Sequence, residues 1–303
     1  MLTLPTLQPG DSVDIIAPAS RCTAAQLDAL KALLESWQLH CIIADTIFGN
    51  DPFCANTDEN RLTQLINAFT NTKSKAIICA RGGYGSMRLI PALTQTAKPK
   101  NLKLFVGMSD ITALHLYLQQ QWHWPTIHGA AAPDRFSTDS ITALKAILFG
   151  NVKQVEFNGL IPLNTPAKKN HSIQGVITGG NLSLIQASIG TPWQLEGRDK
   201  IILLEDTSER GYRLDRMLQH LMQTGVLQNA SAILLGDFTE GQEANGQSFV
   251  EIALERFATH CAIPVVQLKG IGHGYTNFPL PLGTVAHLNV GTDITLNCSL
   301  ASS

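Results

Sequence analysis

The chain has 303 residues, 44% of them hydrophobic, enough for two domains with substantial cores. A formal net charge of −2, with no basic run and no basic patch interleaved with aromatics, gives no electrostatic basis for binding nucleic acid. No apolar run approaches membrane-spanning length, and the opening Met1-Leu2-Thr3-Leu4-Pro5 lacks a charged n-region and an apolar h-region, so a cytoplasmic chain away from membranes is expected.

In chain order, Val13-Asp14-Ile15-Ile16-Ala17 predicts a strand, and Leu27, Leu30, Leu34 and Trp37 mark a helix face after it. Leu62, Leu65, Ile66 and Phe69 mark a second helix, and Ala76-Ile77-Ile78-Cys79 and Leu104-Phe105-Val106 two further strands. Strands alternating with helices argue for a parallel sheet. Gly82-Gly83-Tyr84-Gly85, after the strand Ala76-Ile77-Ile78-Cys79, lacks G-x-G-x-x-G spacing and does not open the first βαβ unit, so it is not read as a dinucleotide loop and no cofactor is expected.

At Gly107-Met108-Ser109-Asp110 an apolar strand stops at a glycine and a helix begins with a serine at the corner. Such a serine is lifted off the sheet edge with its hydroxyl exposed, as a nucleophile requires. Serine is also a preferred N-cap, and Ile111, Leu114 and Leu118 give the spacing of an ordinary buried helix face. The second glycine of a G-x-S-x-G elbow is absent, so this segment alone favours the cap, and a nucleophilic Ser109 needs partners elsewhere.

Residues 158–170, polar and carrying Pro162, Pro166, Lys168 and Lys169, predict a linker, set at 158–171 between domains 1–157 and 172–303. Strands near 174–178, 201–204, 232–235 and 265–268 then alternate with helices over 181–189, 212–222 and 249–260. The end, 284–290 and 293–297 around Gly291-Thr292, alternates like a hairpin.

The run Ile201-Ile202-Leu203-Leu204 ends in Glu205-Asp206, and carboxylates at the end of a central strand tend to sit in a cleft. Capping of the helix near Tyr212 is the plain alternative, a better account of Asp206 than of Glu205. Among nine histidines, His273 stands between Gly272 and Gly274, in a loop suited to close approach. His128, in Thr126-Ile127-His128-Gly129, is the second candidate base, while His115 and His220 fall inside helical patterns and read as packing residues. With Ser109 in the first domain and Glu205 and His273 in the second, the site is expected in the cleft between them.

Cys22, Cys41, Cys54, Cys79, Cys261 and Cys298 are scattered with no C-x-x-C pair, which fits reduced thiols. Without H-E-x-x-H or a clustered His/Cys set, no metal is expected.

Taken together, Arg81-Gly82-Gly83-Tyr84-Gly85, Gly107-Met108-Ser109-Asp110, Gly179-Gly180-Asn181-Leu182 before Ile189-Gly190-Thr191-Pro192-Trp193, Leu204-Glu205-Asp206 with Tyr212-Arg213-Leu214-Asp215-Arg216, and Gly272-His273 before Leu280-Pro281-Leu282-Gly283 resemble the LD-carboxypeptidase family of serine peptidases, which also contains the microcin C immunity peptidases. The resemblance runs in order over nearly the whole chain. It implies Ser109 as nucleophile, Glu205 as acidic member, His273 as base, and the backbone N–H groups of Gly83 and Asp110 as oxyanion donors. It further implies removal of the terminal D-alanine from muropeptide tetrapeptides during cytoplasmic cell-wall recycling. The fold expected is α/β, a flavodoxin-like parallel-sheet N-terminal domain and a smaller α/β C-terminal domain. A muropeptide is the expected partner, and homodimers are common in the family. The immunity branch tends to be longer, so this chain is closer to the recycling branch. An immunity-type peptidase acting on a peptidyl-nucleotide antibiotic and a non-catalytic two-domain ligand-binding protein are the alternatives.

Overall fold

The computed structural model describes residues 4–300; residues 1–3 of the leader reading and the outermost residues of the two expected domains, 1–3 and 301–303, lie outside them. Strands β1 (Ser12–Ile16), β2 (His40–Ile43), β3 (Ser74–Cys79), β4 (Leu104–Gly107) and β5 (Thr126–His128) form a parallel sheet in the order 2-1-3-4-5, the flavodoxin-like arrangement. The apolar runs of β3 and β4 are covered on both faces, as parallel sheets require. Ile77 and Phe105 face α2 (Asp58–Thr70) and α4 (Thr112–Trp122), whereas Ile78 and Val106 face α1 (Ala24–Ser36) and α5 (Thr138–Leu148). Helix starts are chemically marked: Thr23 and Gln26 form a capping box on α1, and Thr57 and Ser137 cap α2 and α5. A short α3 (Ile90–Leu93) follows β3.

The second half is built from β6 (Gln154–Pro162), β7 (His171–Asn181), β8 (Lys200–Thr207), β9 (Ala232–Thr239), β10 (Val265–Gln267), β11 (Leu280–Leu282), β12 (Val285–Val290) and β13 (Ile294–Ser299), with α6 (Leu182–Ser188), α7 (Gly211–Thr224) and α8 (Val250–His260). Among the described residues, seven of these strands close into a barrel in the order β10-β6-β13-β12-β7-β8-β9. The run β7-β8-β9-β10 is parallel and carries the helices; β6, β13 and β12 pair antiparallel. Ile177, Leu203, Leu234, Leu288 and Leu296 fill one core, and the opposite-facing Ile202, Leu204, Ile233 and Leu235 pack under the helices. That outer layer is continuous with the first half, because Leu114, Leu118 and Trp122 of α4 belong to the same apolar cluster as Leu182, Ile185 and Leu218. Strand β11 leaves the barrel and pairs antiparallel with β5, completing the edge of the first sheet.

The C-terminal hairpin forms as the alternation predicts, with β12 and β13 paired antiparallel. The stretch expected as a linker does not behave as one. Residues 158–162 are the second half of β6, paired with β13 and β10, and Pro166–Lys168 is a single 3-10 turn. Asn164 is buried there, its Nδ2 donating to the carbonyls of Ala258, Cys261 and Ile263 and its Oδ1 accepting from Ala167 and Val265. Strand β6 was hidden because most of its side chains remain exposed and Gly159, at φ +70, breaks the alternation.

Candidate active site

The sheet delivers Ser109 as its corner position predicts. Met108 is extended at φ −153, and Ser109 turns to φ +63, a left-handed conformation that a non-glycine residue holds only against strain. No side chain caps the 3-10 turn Ser109–Ile111 or α4 behind it, so the serine is not acting as an N-cap. Gly82 packs directly on it: a Cβ at Gly82 would lie 2.7 Å from the Ser109 Cβ and 3.2 Å from its Oγ.

Gly82 belongs to the loop that also carries Gly83, at φ +107. That loop is fixed from three sides. The Asp110 carboxylate, buried beneath the serine turn, accepts from the N–H groups of Gly85 (3.2 Å) and Ser86 (2.8 Å), and Ser86 Oγ donates to the Asp110 carbonyl (2.6 Å). Ser20 Oγ accepts from the Tyr84 N–H at 3.0 Å. Arg61, fully buried, donates to the carbonyls of Gly85, Pro18 and Asn56 and pairs with Asp58. The sequence pointed to Asp110 only for its backbone; its carboxylate and Arg61 had no legible signal beyond a polar residue after the serine and an arginine on an amphipathic helix.

Glu205 sits near the end of β8, wholly buried, and its Oε2 lies 2.7 Å from His273 Nδ1. A carboxylate can only accept, so Nδ1 donates and the imidazole presents Nε2 as the free acceptor. Burial pulls the His273 pKa down, but the charge and hydrogen bond of Glu205 outweigh it and hold the imidazole above the ordinary histidine value. The His273 loop is braced by Asp237, which accepts from the Gly270 N–H, and by Asn277, whose Oδ1 accepts from the Gly272 N–H at 3.1 Å. Gly272, at φ +140, leaves room for the pair, since a Cβ there would stand 3.1 Å from Glu205 Oε2 and 3.0 Å from the Asp237 carbonyl.

Asp206 does not cap the helix near Tyr212. It turns to α6, accepting from Asn181 Nδ2 (2.9 Å) and from the N–H (2.9 Å) and Oγ (2.8 Å) of Ser183. The N-cap of α7 is Arg210, whose side chain makes no capping hydrogen bond. Burial, aided by the charge of Glu205, pushes the Asp206 carboxyl up to about 6.

Ser109 and His273 line one cavity of about 470 Å³, with Arg81, Gly82, Arg135 and Phe136 among its walls. His128 does not line it. Its ring is buried at the end of β5 with neither nitrogen hydrogen-bonded among the described residues, and burial pulls its pKa down toward a neutral imidazole. His115, inside α4, donates from Nε2 to the Gly107 carbonyl (2.8 Å), and His220 contacts Gln186 across α6 and α7, both as packing residues. Among the described residues, no group of three or more His, Cys, Asp or Glu side chains could hold a metal ion, and no helix is long and apolar enough to cross a membrane.

A flavodoxin-like sheet and a mixed barrel that meet at a cleft holding a serine and a buried His–Glu pair are the architecture of a two-domain hydrolase. The chain belongs to the LD-carboxypeptidase family: residues 13–129 match its N-terminal domain and residues 174–288 its C-terminal domain. It is 40% identical over 279 residues to a putative carboxypeptidase of Rickettsia conorii, covering 90% of this chain and 86% of that one. It is 30% identical to the murein tetrapeptide carboxypeptidase of Pseudomonas aeruginosa, covering 93% and 95% of the two chains. The crystal structure of muramoyltetrapeptide carboxypeptidase from Oxalobacter formigenes superposes with a TM-score of 0.81 at 26% identity over 96% of this chain and all of that one. The microcin C7 self-immunity protein shares the fold, with a TM-score of 0.84 at 18% identity and full coverage of both chains.

Proposed function

We propose that this protein is a cytoplasmic serine LD-carboxypeptidase that removes the terminal D-alanine from muropeptide tetrapeptides in cell-wall recycling. The observation that carries the reading is the 2.7 Å contact between buried Glu205 and His273, opening on the same cavity as the strained Ser109. The names borne by the Pseudomonas and Oxalobacter relatives supply the substrate class.

In this reading, His273 Nε2 takes the Ser109 proton as Oγ attacks the carbonyl of the L-residue, and Glu205 holds the ring in the required tautomer and stabilises the imidazolium. The N–H groups of Gly83 and Asp110 receive the oxyanion, a term worth roughly 3 kcal/mol per donor. His273 then returns the proton to the departing D-alanine amine, and water hydrolyses the acyl-enzyme by the same route.

Mass analysis of products from a defined tetrapeptide tests it. The peptide ending in D-alanine loses that residue, its L-alanine diastereomer resists, and a pentapeptide ending D-alanyl-D-alanine is a poor substrate because its terminal bond joins two D-residues. A pocket fitted to one configuration leaves the other's carboxylate unpaired, which discriminates by several powers of ten. Equal rates on the two tetrapeptides remove the LD-assignment. Hydrolysis of an aminoacyl-sulfamoyl adenosine in preference to the muropeptide moves the protein to the immunity branch.

A further inference from the structure

A carboxypeptidase differs from an endopeptidase in that its substrate ends in a free carboxylate, and something in the cleft must read that charge. The terminal carboxylate belongs to the leaving residue, so its anchor must lie within about one residue length, ~3.8 Å along the chain, beyond the carbonyl that Ser109 attacks. Two arginines line the cavity that Ser109 and His273 share, Arg81 and Arg135. They are not equivalent. Arg81 is engaged by the protein itself, its Nη1 donating to the Arg21 carbonyl at 3.0 Å next to the Gly82-Gly83 turn. The Arg135 guanidinium forms no ion pair and no hydrogen bond among the described residues, although Asp134 lines the same cavity; exposed, it lies over the Phe136 ring, 5.4 Å from the centroid.

The placement of Arg135 is built rather than incidental. It stands in the loop that follows β5, the strand beside β4, so it emerges at the same C-terminal sheet edge as Ser109. That loop is tied to the histidine loop of the barrel, because the Ser137 N–H donates to the Tyr275 carbonyl at 2.8 Å and the Asn277 N–H to Ser140 Oγ at 2.9 Å. The charge of Arg135 is also felt by His273, where it opposes protonation. A planar guanidinium held on an aromatic face and left without a protein acceptor is suited to a bidentate grip on a carboxylate.

We propose that Arg135 is the specificity residue that grips the free terminal carboxylate of the substrate and so confines the enzyme to the last residue of a peptide. The inference rests on the carboxypeptidase reading above. It also implies that Phe136 orients Arg135, and that Arg81 serves its own loop rather than the substrate.

The test compares a tetrapeptide ending in D-alanine with the same peptide ending in D-alaninamide, which keeps the shape and removes the charge. Binding of both to Ser109→Ala protein is measured by calorimetry, with and without Arg135→Met, and turnover by the wild-type enzyme is followed separately. The Ser109→Ala protein binds the acid roughly 10- to 100-fold more tightly than the amide, the range of one charge-assisted contact, and Arg135→Met abolishes that preference while leaving amide binding within about threefold. Arg135→Lys retains part of it. A preference that survives Arg135→Met, one that disappears instead in Arg81→Met, or no preference in the parent protein overturns the role of Arg135. If the wild-type enzyme fails to release D-alanine while the acid preference and its loss hold, the carboxypeptidase reading falls and the carboxylate site stands. Thermal unfolding of each variant establishes that this exposed loop position leaves the fold intact.

Discussion

In the proposed mechanism the Ser109 hydroxyl is a nucleophile only while His273 can take its proton, which it can do only as a neutral imidazole. Glu205 holds the imidazole above its ordinary value, so kcat/KM should rise with pH along a limb whose midpoint lies above about 6.5. Glu205→Gln removes the charge that opposes burial, so the limb should move to lower pH while kcat falls by roughly 10^4-fold. An unmoved limb would assign the titration to another group. Ser109→Ala and His273→Ala should each cost on the order of 10^6-fold in kcat, and the double variant little more, since residues that act as one unit do not lose activity additively. Steady-state kinetics on folded variants checks both statements. The sequence singles these residues out where chemistry and chain punctuation coincide, a serine at a strand-to-helix corner, a carboxylate closing an apolar run, a histidine between glycines, but it is the resemblance that assigns them their roles. Asp206 was misread for the opposite reason, since a carboxylate can cap any helix start within reach, and the one it reaches, α6, precedes it in the chain.

Between single residues and the whole lies the Gly82–Ser86 loop, which the buried Asp110 carboxylate ties to the turn that carries Ser109. Asp110→Ala strips the acceptor from two backbone N–H groups at once, which should lower stability by about 1–3 kcal/mol and depress kcat more than it raises KM. Asp110→Asn, able to accept from one donor, should lie between; thermal unfolding together with kinetics measures the pair. Elements with a strong apolar period, α1, α2, α7 and the hairpin β12–β13, were readable from spacing. Strands β2 and β5 were not, because β2 is a half-exposed edge strand and β5 holds a single apolar residue, Ile127. Barrel closure was equally hidden. Alternating strands and helices describe an open parallel sheet as well as the parallel half of a mixed barrel, and it is β6, an exposed strand with a glycine inside, that joins the two ends.

At the scale of the molecule, the two halves share one apolar layer rather than meeting across a wet interface. Seven consecutive residues of α4, Thr112 to Leu118, are buried, sandwiched between the first sheet and the helices of the barrel. The Asn181 N–H, at the end of β7, donates to Thr112 Oγ1 at 3.0 Å, joining the barrel to the helix that follows Ser109. Calorimetry should therefore record a single unfolding transition with equal calorimetric and van't Hoff enthalpies, and a fragment ending after α5 should lack cooperative unfolding altogether. Two separate transitions would mean that the shared layer contributes little.

Strand β11 gives this architecture a timetable. The edge of the first sheet is completed by residues 280–282, synthesised more than 150 positions after β5, the strand they pair with, which ends at His128. A ribosome can release every residue of the parallel sheet and still hold back the strand that closes it. The nascent chain cannot assemble the proposed site piecemeal, because Ser109 precedes Glu205 and His273 in the chain, and the segment that seals the sheet leaves the tunnel after all three. Contacts of such long sequence separation fold slowly, so activity should appear as one late event following chain completion, not in proportion to the length translated.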